Sequence, residues 1–319
     1  MTDKALAARE APTSSLSRRR GRNPAAARRR RVVDRISEGL LFSAAAFSIV
    51  ITVGVVGILV FESIGFFEHV SLVEFLTATE WSPLFAEPRF GIAPLVAGTV
   101  TVTAVALLVS IPIGTISAIW LSEYAPPRAR EILKPMLELL GAVPTVVFGY
   151  FAMLVVTPFL QEFLPDLPGF NMLGPGLVIG LMTVPYVASL GEDAMRAVPN
   201  ALREGAYAMG ATRLQVALRV ILPAAFSGIS AAYVLTFSRA LGETMVVAIA
   251  AGMQPNFTFD PREPAATITA YIVQVSLGDL PHDSIGYQSI FAAGLVLLLM
   301  TLAFNIAGYQ LRKRFREVY

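Results

Sequence analysis

The sequence predicts an all-α integral membrane protein with six transmembrane helices. Three observations carry the prediction: a composition too apolar for a soluble fold, six long apolar stretches, and the placement of the basic residues. Of 319 residues, 55% are hydrophobic and 15% are charged. An average soluble domain has roughly a quarter charged residues. The 25 basic and 23 acidic side chains are too few to clothe a soluble surface of this size. Mean hydropathy is +0.63.

A helix crossing about 30 Å of hydrocarbon needs about 20 mostly apolar residues. Six stretches meet that length, near 38–60, 94–121, 139–160, 173–190, 220–252 and 289–309. Helices are expected because no backbone polar group in lipid can go unpaired. Residues 1–35 hold eleven basic side chains against Asp3, Glu10 and Asp34 and read as a basic, disordered cytoplasmic tail. The tail is too long and the first apolar core too extended for a cleaved signal peptide. It fixes topology and meets anionic lipid rather than nucleic acid. Residues 36–319 form the six-helix transmembrane domain.

Orientation follows from arginine and lysine, which concentrate in cytoplasmic loops. With both termini in the cytoplasm, segments 1–37, 122–138, 191–219 and 310–319 hold 22 of the 25 basic residues. The opposite loops, 61–93, 161–172 and 253–288, keep only Arg89 and Arg262 and carry eleven acidic residues. Small residues and prolines in or beside the spans, such as Pro112, Gly114, Pro144, Gly180, Pro185 and Gly242, suit close helix packing and kinks. Together they fit a transporter that rocks.

Several chemistries are excluded. Cysteine is absent, and the two histidines, His69 and His282, are too far apart for a zinc helix. None of the three lysines, Lys4, Lys134 and Lys313, follows a glycine, so the chain has no phosphate-binding loop for ATP. No span centre holds an aspartate, and both histidines lie in loops. Intramembrane aspartyl and serine proteases are therefore poor fits.

Residues 199–223 read PNALREGAYAMGATRLQVALRVILP. Pro199 ends the preceding helix and Asn200 suits an N-cap. A short helix from Ala201 to Met209 is expected, with Gly210 as its C-cap and Leu202, Ala206 and Met209 on one face. Glu204, Gly205 and Ala206 are followed by three residues and Gly210, then nine residues and Val220-Ile221-Leu222-Pro223. This spacing resembles the E-A-A, three residues, Gly, nine residues, I-x-L-P loop of ABC importer permeases, with Gly205 for alanine and Val220 for isoleucine. The resemblance implies a type I ABC importer permease fold (MetI-like). It also implies that the helix near 200–210 is a coupling helix seated in a separate ATPase subunit, with Glu204, Gly205, Ala206, Gly210, Leu222 and Pro223 as its signature.

In the fifth span, Arg239 and Glu243 lie four residues apart, on one face of a helix and within pairing reach. A charge at mid-bilayer is costly and faces the bundle interior or a wet path. The arginine fork suits phosphate or carboxylate. The residues alone leave two readings, an oxyanion contact or a structural ion pair locking two helices. The wider sequence resembles the C-type permease subunit of phosphate-specific ABC importers. That resemblance rests on RALGETM, LREGAYAMGATR, SEYAPPRAREILKPMLELLGAVPTVVFGYF and the lead-in FLTATEWSPLF…FGIAPLVAGT, and covers about 36–316. It implies phosphate passage at Arg239 and Glu243 by alternating access in a bacterial plasma membrane. The implied partners are an A-type permease subunit, two copies of a phosphate-importing ATPase, and a periplasmic or lipid-anchored phosphate-binding protein docking on loops 61–93 and 253–288. No cofactor is bound by this chain; ATP and Mg belong to the ATPase. The alternatives are a permease for molybdate, tungstate or sulfate, or the sister A-type subunit.

Overall fold

A computed structural model describes residues 24–83, 85, 87–281 and 284–314. Among the described residues the regular structure is helical, apart from one isolated bridge between Trp81 and Phe90. Residues 1–23 of the expected tail lie outside the described residues, and the backbone is helical from Pro24. Contacts divide the chain into two units, residues 1–57 and 58–319.

The first unit holds most of helix α1 (Pro24–Phe67). Its apolar side chains are uncovered, Phe42 and Phe47 among them. An apolar helix with no buried face needs lipid or other helices around it.

The second unit continues with α2 (Leu72–Thr77), α3 (Ala93–Ile119) and a π-helical turn at Trp120–Tyr124. Next come α4 (Pro127–Ala142), α5 (Thr145–Phe151), a π turn at Ala152–Val156 and α6 (Thr157–Gln161). Helix α7 (Leu173–Arg196) precedes the short α8 (Asn200–Ala208). After α9 (Arg213–Val216), a π turn at Ala217–Ile221 and α10 (Leu222–Ala224) come α11 (Phe226–Leu241) and α12 (Met245–Ala250). The chain closes with α13 (Ile268–Gln274), a π turn at Val275–Asp279 and α14 (Ile285–Arg314).

Among the described residues four helices are long and apolar enough to span a membrane: Val33–Phe67, Ala93–Tyr124, Leu173–Arg196 and Ile285–Arg314. Two bent pairs complete six spans when each counts as one. They are Pro127–Ala142 with Thr145–Gln161, bent by 87°, and Arg213–Ala224 with Phe226–Leu241, bent by 74°. The six-span expectation thus holds with two spans broken. The first break lies at Val143-Pro144, where proline removes an N–H and restricts the residue before it. The second lies at Ala225, just after Pro223 in the short α10.

The fifth stretch, expected as one helix over 220–252, is interrupted again at Gly242–Thr244, between α11 and α12. Glycine and threonine are both weak helix formers. Here the backbone groups find tertiary partners, as when Thr269 Oγ1 donates to the Glu243 carbonyl at 2.7 Å.

Helices α3 and α7 pack at backbone distance. A Cβ on Gly180 would lie 2.7 Å from Val109 Cβ, and one on Gly114 would lie 2.5 Å from Val187 Cβ. Small residues allow that approach where no aqueous driving force acts between helices. At the end of the bundle bearing the loops after α1 and α12, Phe66, Phe75, Trp81, Phe90 and Tyr271 form an edge-to-face cluster. Its closest ring pair is Trp81–Tyr271, at 4.9 Å between centroids. At the opposite end Met195, Val198, Val216, Ile221 and Ile229 are buried together, and Leu202 and Ala206 of α8 lean on them.

Candidate functional site

The break after α11 brings Arg239 and Glu243 together. Arg239 occupies the last turn of α11, where a cation complements the unpaired carbonyls. Glu243 lies beyond the helix end, so the two residues do not share a helical face as expected. They meet nonetheless, with Arg239 Nη1 3.0 Å from Glu243 Oε2. That approach is an ion pair without an aligned hydrogen bond, since Glu243 Oε2 accepts none. The carboxylate side chain is 1% exposed and the arginine side chain 37%. The pair is therefore anchored at its acidic end and open at its basic end. Among the described residues Arg239 has no other protein partner. Its remaining donors are free for an oxyanion.

Threonines brace the acidic end. Thr269 Oγ1 lies 3.1 Å from Thr267 Oγ1 and donates to the Glu243 carbonyl. Thr267 Oγ1 caps α13 by accepting from the Ala270 N–H. The peptide carrying Glu243 is thus tied to α13, and α13 to α3, where Thr99 Oγ1 accepts from the Ile268 N–H at 3.0 Å.

The second site is α8 at the far end of the bundle. The expected helix is present, from Asn200 to Ala208. Asn200 is not its N-cap: Pro199 takes that position, and Asn200 Oδ1 instead accepts from Arg203 Nη1 at 3.3 Å. The C-terminus is closed by a Schellman motif. Ala211 N–H bonds the Ala206 carbonyl at 3.1 Å and Gly210 N–H bonds that of Tyr207 at 2.9 Å. Gly210 has φ +81°, the left-handed conformation that glycine adopts without a Cβ penalty. Leu202 and Ala206 share one face as expected, and that face packs on the bundle. Met209 does not share their face: it is the C-cap, beyond the last helical turn, and is 88% exposed. Glu204, Gly205, Tyr207 and Ala208 are exposed beside it. Downstream, Leu222 is half-buried and Pro223 exposed in α10. Thr212 and Gln215 form a reciprocal capping box at the start of α9.

Two polar clusters were missed at the sequence level. Arg203 ties α8 to the ends of α3 and α7. Glu192, 2% exposed, meets Lys134 Nζ at 2.7 Å, Arg196 Nε at 3.6 Å and Arg130 Nη1 at 3.7 Å. The signal for the second was an acidic pair, Glu192-Asp193, closing an apolar helix with Arg196 four residues from Glu192. In the loop before α13, Arg262 donates to the half-buried Asp260 and holds its carboxyl down at about 2.

A bundle of broken spans, with a charged pair at a break and an exposed short helix at one end, defines the membrane-embedded half of a transporter. Residues 110–317 match the family described as "Binding-protein-dependent transport system inner membrane component", and the chain belongs to that family. It is 36% identical over 265 residues to the "Probable ABC transporter permease protein YqgH" of Bacillus subtilis, covering 83% of this chain and 84% of that one. It is 33% identical over 295 residues to the "Phosphate transport system permease protein PstC" of Mesorhizobium japonicum, covering 85% and 88%. A solved bacterial ABC transporter involved in the import of the acidic polysaccharide alginate has the same fold, with a TM-score of 0.60 at 18% identity, covering 90% of this chain and 100% of that one. The MetNI methionine ABC transporter superposes with a TM-score of 0.53 at 15% identity, covering 71% and 94%. The protein is a multi-pass permease subunit of an ABC importer and not an enzyme.

Proposed function

We propose that this chain is the C-type permease subunit of an importer of inorganic phosphate. The carrying observation is the Arg239–Glu243 pair. A guanidinium about a third exposed, held by a buried carboxylate, offers most of its donors to a passing oxyanion. Several similar curated proteins are named as phosphate transport permeases, which favours phosphate over molybdate, tungstate or sulfate.

In this reading Glu243 keeps the arginine fork oriented between ions and Arg239 supplies the attraction. The exposed side of α8, with Glu204, Gly205 and Gly210, seats in an ATPase while Ala206 holds the helix to the bundle; Leu222 and Pro223 set the bend after it. The assembly comprises an A-type permease partner, two copies of the ATPase that use ATP and Mg, and a phosphate-binding protein that docks on loops 61–93 and 253–288. This chain itself holds no cofactor. Both termini lie in the cytoplasm of a bacterial cell, so α8 faces the ATPases. Binding-protein docking and ATP binding open the path outward, phosphate enters, and hydrolysis returns it inward.

The test is uptake by the complex reconstituted with its partners in proteoliposomes. ATP-dependent accumulation of labelled phosphate, unaffected by excess molybdate or sulfate, is the expected result. Accumulation of molybdate or sulfate in preference to phosphate would overturn the substrate assignment.

A further inference from the structure

The polar grip of α8 on the spans is one side chain. No residue of α8 is buried, and its apolar contacts are the half-buried Leu202 and Ala206. Arg203 makes every side-chain hydrogen bond between α8 and the spans among the described residues. Its Nη2 donates to the Met195 carbonyl at 2.7 Å and its Nη1 to the Val198 carbonyl at 2.7 Å. The same Nη2 lies 3.2 Å from Glu123 Oε1 in the π turn that ends α3. The arginine side chain is 15% exposed and the glutamate 6%.

These acceptors are chemically apt. Met195 lies in the last turn of α7, whose carbonyls lack i+4 donors, and a cation there also complements the helix dipole; Val198 lies in the link between α7 and α8. The planar guanidinium fixes several bond directions at once, which a lysine ammonium on a flexible stem cannot do. Arg203 therefore ties α8, the end of α7 and the end of α3 into one unit.

The tie continues one turn further. Glu192 precedes Met195 on α7, and its buried carboxylate takes Lys134 and Arg130 from α4. Asp193 takes Lys134 as well, at 2.5 Å. Helix α4 has no buried residue and turns through 87° into the helix after it. Its polar seat on α7 combines these ion pairs with a hydrogen bond from Ser189 Oγ to Glu138 at 3.0 Å, beside a bend that can act as a hinge.

We propose that Arg203 is the positioning residue that carries movement of α8 into the bundle, through the end of α7 and its acidic pair to α4. This rests on the reading of α8 as the helix an ATPase moves. Motion passes only if the linking group is stiff, and the three acceptors outside α8 that Arg203 engages make it so. Leu202 and Ala206 alone could slide.

The experiment uses the full complex in proteoliposomes and reads phosphate moved per ATP hydrolysed. Arg203→Gln is expected to leave the ATPase bound and hydrolysing while the ratio falls about tenfold, the scale of losing charged hydrogen bonds. Arg203→Lys keeps the charge without the fork and should fall several-fold; it also serves if Arg203→Gln does not assemble. Glu123→Gln should fall less than Arg203→Gln, because the carbonyl bonds remain. An unchanged ratio in Arg203→Lys, or in an assembled Arg203→Gln, overturns the inference. If the unmodified complex carries another oxyanion, the substrate reading fails and the same ratio is taken with that ion.

Discussion

At Arg239, what matters is how many of the five guanidinium donors the protein itself occupies. One nitrogen approaches Glu243, and no other group among the described residues takes the rest. A purely structural pair would close both ends, since a buried charge without partners is costly. Here only the carboxylate is closed off. Glu243 orients the fork and so acts with Arg239 as a unit. Glu243→Gln should lower phosphate uptake about tenfold, and Arg239→Gln with Glu243→Gln should be no worse than Arg239→Gln alone, because effects within a unit are not additive. Uptake by single and double variants checks this; additive losses would separate the two residues. Residue types and spacing made this pair legible in the sequence. Its one-sidedness was not, because it depends on the helix ending at Leu241, where no proline announces a stop.

Elements divide into those set locally and those set by distant partners. Helix α8 was legible because its terminators are local: Pro199 before it and Gly210, at φ +81°, after it. Gly210→Val forces a branched side chain into that left-handed position at about 1–2 kcal/mol. It should weaken retention of the ATPase in a pull-down of the solubilised complex; retention equal to wild type would detach α8 from that role. Glu204→Lys, on the exposed side, should weaken retention without lowering the thermal midpoint of the permease. The contact of α3 with α7 depends instead on absent side chains. Gly180→Leu drives atoms into Val109 and the Ala106 carbonyl and should cost about 1–3 kcal/mol, read as a lower unfolding midpoint in detergent. Sequence periodicity could not supply the ties of α8 and α4. Arg203 and Glu123 are 80 residues apart, and Lys134 and Glu192 58.

At the scale of the whole molecule, apolar length disclosed six spans; among the described residues four are continuous helices and two are pairs that bend sharply. Hydropathy registers how much apolar chain there is and not where it turns. Breaks in a span leave backbone groups that must be satisfied by protein or by a wet path, and the charged pair sits at a third break, Gly242–Thr244, between α11 and α12. A reporter fused after Tyr319 should be active only in its cytoplasmic form, because the basic residues gather on that side; activity of a periplasmic form would reverse the topology. The most direct trial of the account is ATP-driven phosphate uptake by complexes carrying Arg239→Gln. Assembled complexes with wild-type ATP hydrolysis and almost no phosphate uptake are the predicted result. Normal uptake by a stable, assembled Arg239→Gln complex would contradict it.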